Sequence, residues 1–139
     1  MDKIFLVDDD ALFLNSLRID FVEHTKFSIS TFITGELCIA ELKQEPDLII
    51  LDYHLDGITP YAMNGLDTLD KIKAFRPFTP VVMLSSQDSI DVAVSCMHHG
   101  AYDYVVKSET AFFRLQKIIQ FIVHNHKIEK ELNWYMDRM

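Results

Sequence analysis

At 139 residues with 49% hydrophobic content, the chain has the size of one ordinary globular domain and can bury a full core without disulfide or metal staples. A formal net charge of −8 and a pI near 5.1 argue against direct contact with nucleic acid or an anionic membrane surface, because phosphate binding draws on clustered Lys and Arg. The two cysteines, Cys38 and Cys96, form no C-x-x-C pair, and the early apolar run Ile4 to Val7 is too short for a signal peptide or a membrane span; free thiols and a cytoplasmic location are expected.

The first predicted strand is Lys3 to Val7, followed at once by Asp8, Asp9 and Asp10. Asp9 or Asp10 can cap a first helix marked by Leu14, Leu17 and Phe21. Ser28 to Ile33 reads as the second strand, and Thr34 can cap a second helix running through Leu37 to Leu42 and stopped by Pro46. Leu48 to Leu51 is the third strand, with Asp52 directly after it. The next stretch, Asp56 to Gly65, is turn-rich and longer than a usual strand-to-helix connection. Leu66, Leu69 and Ile72 then mark a third helix.

Val81 to Leu84 is the fourth strand, followed by Ser85 and Ser86; Val92 through Met97 is a fourth helix that Gly100 can end. Tyr102 to Val106 is the fifth strand, followed by Lys107, and Ser108 can cap the last helix. That helical pattern starts near Phe112 and continues past Trp134 without a Gly or Pro to stop it. Residues 1–123 therefore read as one domain and 124–139 as an extension of its last helix.

Strict alternation of strand and helix predicts an α/β fold, a doubly wound parallel sheet of five strands with helices on both faces. Strands apolar on both sides fit that burial. In such a sheet ligands bind beyond the carboxyl ends of the strands, where Asp8, Asp9, Asp10, Asp52, Ser85, Ser86 and Lys107 all fall. Carboxylates gathered there repel one another unless a cation sits among them. Oxygen-only ligands select a hard ion, and so few carboxylates suit Mg2+, which keeps several waters and accepts phosphate oxygens. Asp52 is then typed as a nucleophile toward phosphorus, and Lys107 and the Ser85 hydroxyl as partners for the transferred group's oxygens.

At these residues the sequence resembles the receiver domains of bacterial two-component response regulators. Ile4-Phe-Leu-Val-Asp-Asp9 resembles the family's acidic pair after strand one, and Pro46-Asp-Leu-Ile-Ile-Leu-Asp52 its phosphoacceptor strand. Val81-Val-Met-Leu-Ser-Ser86 is similar to the strand ending in the switch hydroxyl, and Gly100-Ala-Tyr-Asp-Tyr-Val-Val-Lys107 to the segment carrying the aromatic switch and the lysine. The resemblance implies a flavodoxin-like, CheY-like fold with strand order 2-1-3-4-5. It implies Mg2+ on Asp9, Asp52 and the backbone carbonyl of His54, with Asp8 helping through water. Asp52 would accept a phosphoryl group from a sensor histidine kinase or a phosphotransfer protein. Ser85 and Tyr104 would act as switch residues, Lys107 would pair with a phosphoryl oxygen, and His54 and Gln87 would tune the lifetime of the acyl phosphate. The switched surface would be the face of helix four, strand five and helix five, with homodimerisation through that face or through the C-terminal helix. No small-molecule turnover is expected.

The chain departs from the family pattern in two places. Ser108 stands where the family places a cis proline, and since a cis bond before serine costs roughly 2.5 to 4 kcal/mol, a trans path is expected. Asp56 replaces a common proline, and Gly57 through Asn64 adds residues that read as a tolerated insertion ahead of a partner-specific surface.

Each residue also has a plainer reading. One aspartate of the three suffices to cap a helix, Asp52 alone could be a turn residue, Ser85 or Ser86 a cap, and Lys107 a solvated lysine; their convergence at the strand ends favours the site. His98 and His99 end a helix and read as exposed or as bound to its last carbonyls, while His124 and His126 share no helix face and make a poor metal pair. Leu115, Ile118, Ile119 and Ile122 form a core stripe; Ile128, Leu132, Tyr135 and Met139 follow a 4-3-4 spacing that suits a partner helix or a short coiled coil, or else a frayed extension. A haloacid-dehalogenase-like phosphatase would also place an aspartate and Mg2+ at a strand end, but wants a second aspartate where His54 stands. An adaptor that keeps the fold without the chemistry would not need Asp8, Asp9, Asp52, Ser85 and Lys107 together.

Overall fold

A computed structural model describes residues 2–58 and 61–139. Five strands, β1 (Lys3–Val7), β2 (Ser28–Phe32), β3 (Leu48–Asp52), β4 (Val81–Ser85) and β5 (Asp103–Val106), form one sheet in the order β2-β1-β3-β4-β5. Every pairing is parallel. The helices between them are α1 (Ala11–His24), α2 (Gly35–Ala40), α3 (Gly65–Phe75), α4 (Ile90–His98) and α5 (Ala111–Asp137). This is the expected doubly wound, flavodoxin-like arrangement.

Alternation along the strands divides the core into two layers, because successive side chains leave opposite faces of the sheet. Ile4, Leu6, Leu48, Ile50, Val82 and Leu84 pack against Leu14, Leu17 and Phe21 of α1 and Phe112, Leu115 and Ile119 of α5. Phe5, Val7, Ile49, Leu51, Val81 and Met83 pack on the other side against Cys38 of α2, Leu69 and Ile72 of α3 and Cys96 of α4. Both cysteines are free and buried, and burial pushes the Cys38 thiol up to about 12. They are core residues, unsuited to redox chemistry.

The helix starts follow side-chain capping. Asp10 accepts from the amides of Leu12 and Phe13, Thr34 from Leu37, Asn64 from Asp67 and Ser89 from Val92. The expected Ser108 cap is not formed: α5 begins at Ala111 behind Thr110, and the Ser108 hydroxyl accepts from the amide of Thr110 in the turn before the helix. Helix α2 also ends earlier than Pro46 suggested. It stops at Ala40, and a 3-10 turn at Leu42–Gln44 leads to Glu45 in the left-handed region, φ 57°. Gly100, at φ +95°, closes α4 as expected, since L side chains rarely adopt that conformation.

The last helix runs for 27 residues, and its C-terminal half carries no buried side chain. No helix among the described residues is long and apolar enough to cross a membrane.

Candidate phosphoacceptor site

Strand register brings the site together. Val7 lies beside Leu51, Asp52 beside Leu84, and Ser85 beside Val106, so the residues that end or follow β1, β3, β4 and β5 reach one edge of the sheet. Backbone bonds hold the exits in place: Asp8 donates to the carbonyl of Phe32, Tyr53 to that of Leu84 and Lys107 to that of Ser85. The carboxylates of Asp8, Asp9 and Asp52 offer oxygens within 4.8 Å of one another. Asp8 and Asp52 are buried and Asp9 half-buried. Asp10 is not part of this group; it is the α1 cap.

Lys107 enters the cluster from the end of β5. Its Nζ lies 2.7 Å from Asp8 Oδ2 and 3.3 Å from Asp52 Oδ1. The same Nζ sits 4.8 Å from the centre of the Phe13 ring, which covers it from the α1 side. Among the described residues no peptide bond is cis, so the Lys107–Ser108 link takes the trans path and Lys107 still reaches both carboxylates.

The electrostatics are unbalanced. Burial raises the Asp52 carboxyl, the neighbouring Asp8 charge raises it further, and Lys107 only partly opposes them; the result is pushed up to about 8. For Lys107, burial lowers the ammonium's pKa, but Asp8 and Asp52 outweigh it and the net direction is upward. One ammonium thus serves two buried carboxylates and a third beside them. Asp8 Oδ2 is buried with no donor at hydrogen-bonding geometry, its Lys107 contact being an ion pair only. Three carboxylates facing one ammonium in an all-oxygen cluster are what a hard cation would complete, so these residues fit Mg2+.

The remaining expected residues occupy distinct positions around this centre. Ser85 is fully buried and its Oγ accepts from the amide of Gln87 at 3.0 Å. The Tyr104 hydroxyl donates to the carbonyl of Gln87, joining β5 to the loop after β4. The amide of His54 donates to Asp52 Oδ1 at 3.3 Å, while its ring is exposed. Ser86 is exposed at the surface. His98 and His99 are exposed, and His99 Nδ1 lies 2.7 Å from Asp70 Oδ1 across to α3.

Two supports were not foreseen from the sequence. A Cβ on Gly65 would lie 2.5 Å from the carbonyl oxygens of both Asp52 and Tyr53, so the absence of a side chain there lets α3 start against the end of β3. The Asn64-Gly65 pair was the available signal. The Glu36 carboxylate accepts from the amide of Met63, tying the loop after β3 to α2. Thr59 and Pro60, in the segment read as an insertion, lie outside the described residues.

A five-stranded parallel sheet in this order, with buried aspartates and a lysine converging at its C-terminal edge, defines a CheY-like receiver fold with an acidic phosphoacceptor-type site. The chain belongs to the response regulator receiver domain family, whose pattern it matches over residues 4–120, and its role is that of a phosphoacceptor domain in two-component signalling. It is 32% identical over 128 residues to the nitrogen assimilation regulatory protein NtrX of Azorhizobium caulinodans, covering 91% of this chain and 27% of that protein. It is 33% identical over 100 residues to the regulatory protein LuxO of Vibrio cholerae, covering 71% of this chain and 21% of that one. Among solved structures, the receiver domain of NtrX from Brucella abortus superposes with a TM-score of 0.76 at 29% identity, covering 87% of this chain and 98% of that one. The chain thus spans about a quarter of the length of the curated relatives it matches.

Proposed function

We propose that Asp52 is the residue phosphorylated, by a sensor histidine kinase or a phosphotransfer protein. The observation that carries this reading is the buried Asp52 carboxylate, grouped with Asp8 and Asp9 and within reach of Lys107. A carboxylate oxygen of Asp52 attacks the phosphorus of a phosphohistidine; the P–N bond breaks, its electron pair stays on the imidazole, and an acyl phosphate forms. Lys107 offsets the charge gathered on the phosphoryl oxygens. Asp8, Asp9, Asp52 and the backbone carbonyl of His54 are the groups that would hold Mg2+, which when bound supplies neutralisation of the carboxylates and of phosphoryl oxygen charge.

The switch is assigned to Ser85 and Tyr104. Turning the Ser85 hydroxyl toward the phosphoryl group breaks the bond it accepts from Gln87, and Gln87 in turn holds the Tyr104 hydroxyl. Phosphorylation therefore favours a second arrangement of the loop after β4, with Tyr104 released, on the face of α4, β5 and α5. The exposed side chains of His54 and Gln87 flank the approach of water and set the lifetime of the acyl phosphate. The chemistry is self-directed, with no turnover of small molecules, and residues 1–123 suffice for it, leaving 124–139 as an extension. The acidic charge argues against direct binding of nucleic acid by this domain. A cytoplasmic setting follows from the phosphodonor.

Beryllofluoride with magnesium mimics the phosphoryl group and provides the test. Tight binding that Asp52→Asn abolishes is expected. Absence of binding by the wild-type protein overturns the reading in favour of an adaptor, and steady hydrolysis of phosphomonoesters overturns it in favour of a phosphatase.

A further inference from the structure

A cleft of about 470 Å3 lies between the end of α1, the entry to β2 and one face of α5. Its size falls within the range of about 300 to 1,000 Å3 usual for small-molecule sites. Ser28, the first residue of β2, pairs with Lys3, the first of β1, so Phe27 stands at the N-terminal edge of the sheet, opposite the edge that carries Asp52. Phe27, Ile119 and Val123 supply the apolar lining. Ile119 is buried, Phe27 half-buried and Val123 41% exposed, so apolar surface runs from the core out to solvent.

The polar lining is all of one kind. His24 comes from α1, and Gln116, Gln120, His124 and Lys127 follow one another at helical spacing along α5. Each carries N–H groups, and no carboxylate lines the cleft, in a chain whose net charge is −8. Among the described residues none of these five side chains makes a hydrogen bond or an ion pair, and Glu131, one turn beyond Lys127, does not take its ammonium. Elsewhere at this edge the lysines Lys3 and Lys73 are committed, the first to the carbonyl of Gln44 and the second to those of Pro77 and Thr79. The His24 ring stands 5.8 Å from that of Phe112, an aromatic contact with a core residue.

We infer that this cleft is a binding site for a small monocarboxylate with an apolar body. Lys127 is the one side chain of the lining that is always charged at neutral pH, and it matches a single negative charge. A carboxylate offers acceptor sites to several donors at once, and the two amides and two imidazoles supply them; a neutral imidazole keeps one N–H, so the histidines serve without being protonated. The apolar body lies over Phe27, Ile119 and Val123, which removes its surface from water. A ligand held by both His24 and Lys127 joins α1 to the outer half of α5. Binding at this edge does not depend on the assignment of Asp52.

Titration of the full chain with octanoate, followed by amide NMR shifts, tests this. Saturable shifts should gather at His24, Phe27 and the stretch of α5 from Gln116 to Lys127, equally in the wild type and in Asp52→Asn. Octanol, which has the apolar body without the charge, and inorganic phosphate, which has charge without the body, should each bind about tenfold more weakly or worse. Lys127→Ala should weaken octanoate by about tenfold. Val123→Glu, which sets a carboxylate among the donors, should abolish its binding. Both side chains are exposed, so both variants should unfold at the wild-type temperature, which separates loss of binding from loss of fold. Absence of saturable shifts in the cleft, equal affinity for octanol or for phosphate, or octanoate binding unchanged in Lys127→Ala would each overturn the inference.

Discussion

The ammonium of Lys107 lies closer to Asp8, at 2.7 Å, than to Asp52, at 3.3 Å. The lysine thus bridges the ends of β1, β3 and β5, and it is the one cation within salt-bridge distance of either carboxylate among the described residues. Lys107→Met keeps much of the apolar stem and removes the charge that faces the Phe13 ring. Phosphorylation from a small-molecule phosphodonor should fall by about 10²-fold, the scale of losing one preorganised electrostatic partner. The incorporation rate, measured beside circular dichroism to confirm the fold, checks it; unchanged incorporation would remove Lys107 from the chemistry.

Metal-free protein should lose stability as the pH rises from about 4 to about 8. The Asp52 carboxyl is raised to about 8 in the fold, against a usual value near 3.8. Between those limits the folded state binds a proton that the unfolded state has released, so this group's contribution is fully present below about pH 4 and is lost as pH climbs through about 8. Asp52→Asn should therefore stabilise more at pH 8.5 than at pH 5, on the scale of about a unit or more of pKa linkage. Thermal melts in chelator at both values test the sign. An equal effect at the two would show that Asp52 is not held proton-bound.

Added magnesium should reverse that trend. A ligand that binds only the folded state raises stability by mass action, and it competes with protons for the three carboxylates. The rise in melting temperature on adding Mg2+ should be larger at pH 8 than at pH 5, and absent in Asp9→Asn. A rise that persists in that variant would place the ion elsewhere.

Gly65→Ala should damage the site from behind. The added Cβ would meet the backbone oxygens of Asp52 and Tyr53 at 2.5 Å, and neither can give way as a flexible side chain would. A cost of about 1 to 3 kcal/mol in denaturant unfolding, the range of overpacked positions, is expected together with weaker Mg2+ binding. Retained stability and metal affinity would mean that α3 shifts freely.

Tyr104→Phe deletes the hydroxyl that donates to Gln87 while keeping the ring. If that bond holds the unphosphorylated arrangement, its loss should cost about 0.5 to 1.5 kcal/mol of that state. Beryllofluoride affinity should then rise by a few-fold to about tenfold. Lower affinity would mean that the hydroxyl serves the phosphorylated arrangement.

The sheet, its five strands and the chemical character of the strand ends were legible in the chain itself, because buried parallel strands are short apolar runs and their successors Asp8, Asp9, Asp52, Ser85 and Lys107 are polar. Tertiary structure alone decided which aspartate was which: Asp10 turned out to cap α1, while strand register brought Asp8 and Asp9 to Asp52 across more than forty residues of chain. It alone showed Lys107 nearer Asp8 than Asp52, Tyr104 bonded to Gln87, and Gly65 seated on two carbonyls. Such relationships depend on distances between residues far apart in sequence, and a local pattern of polarity carries no information about them.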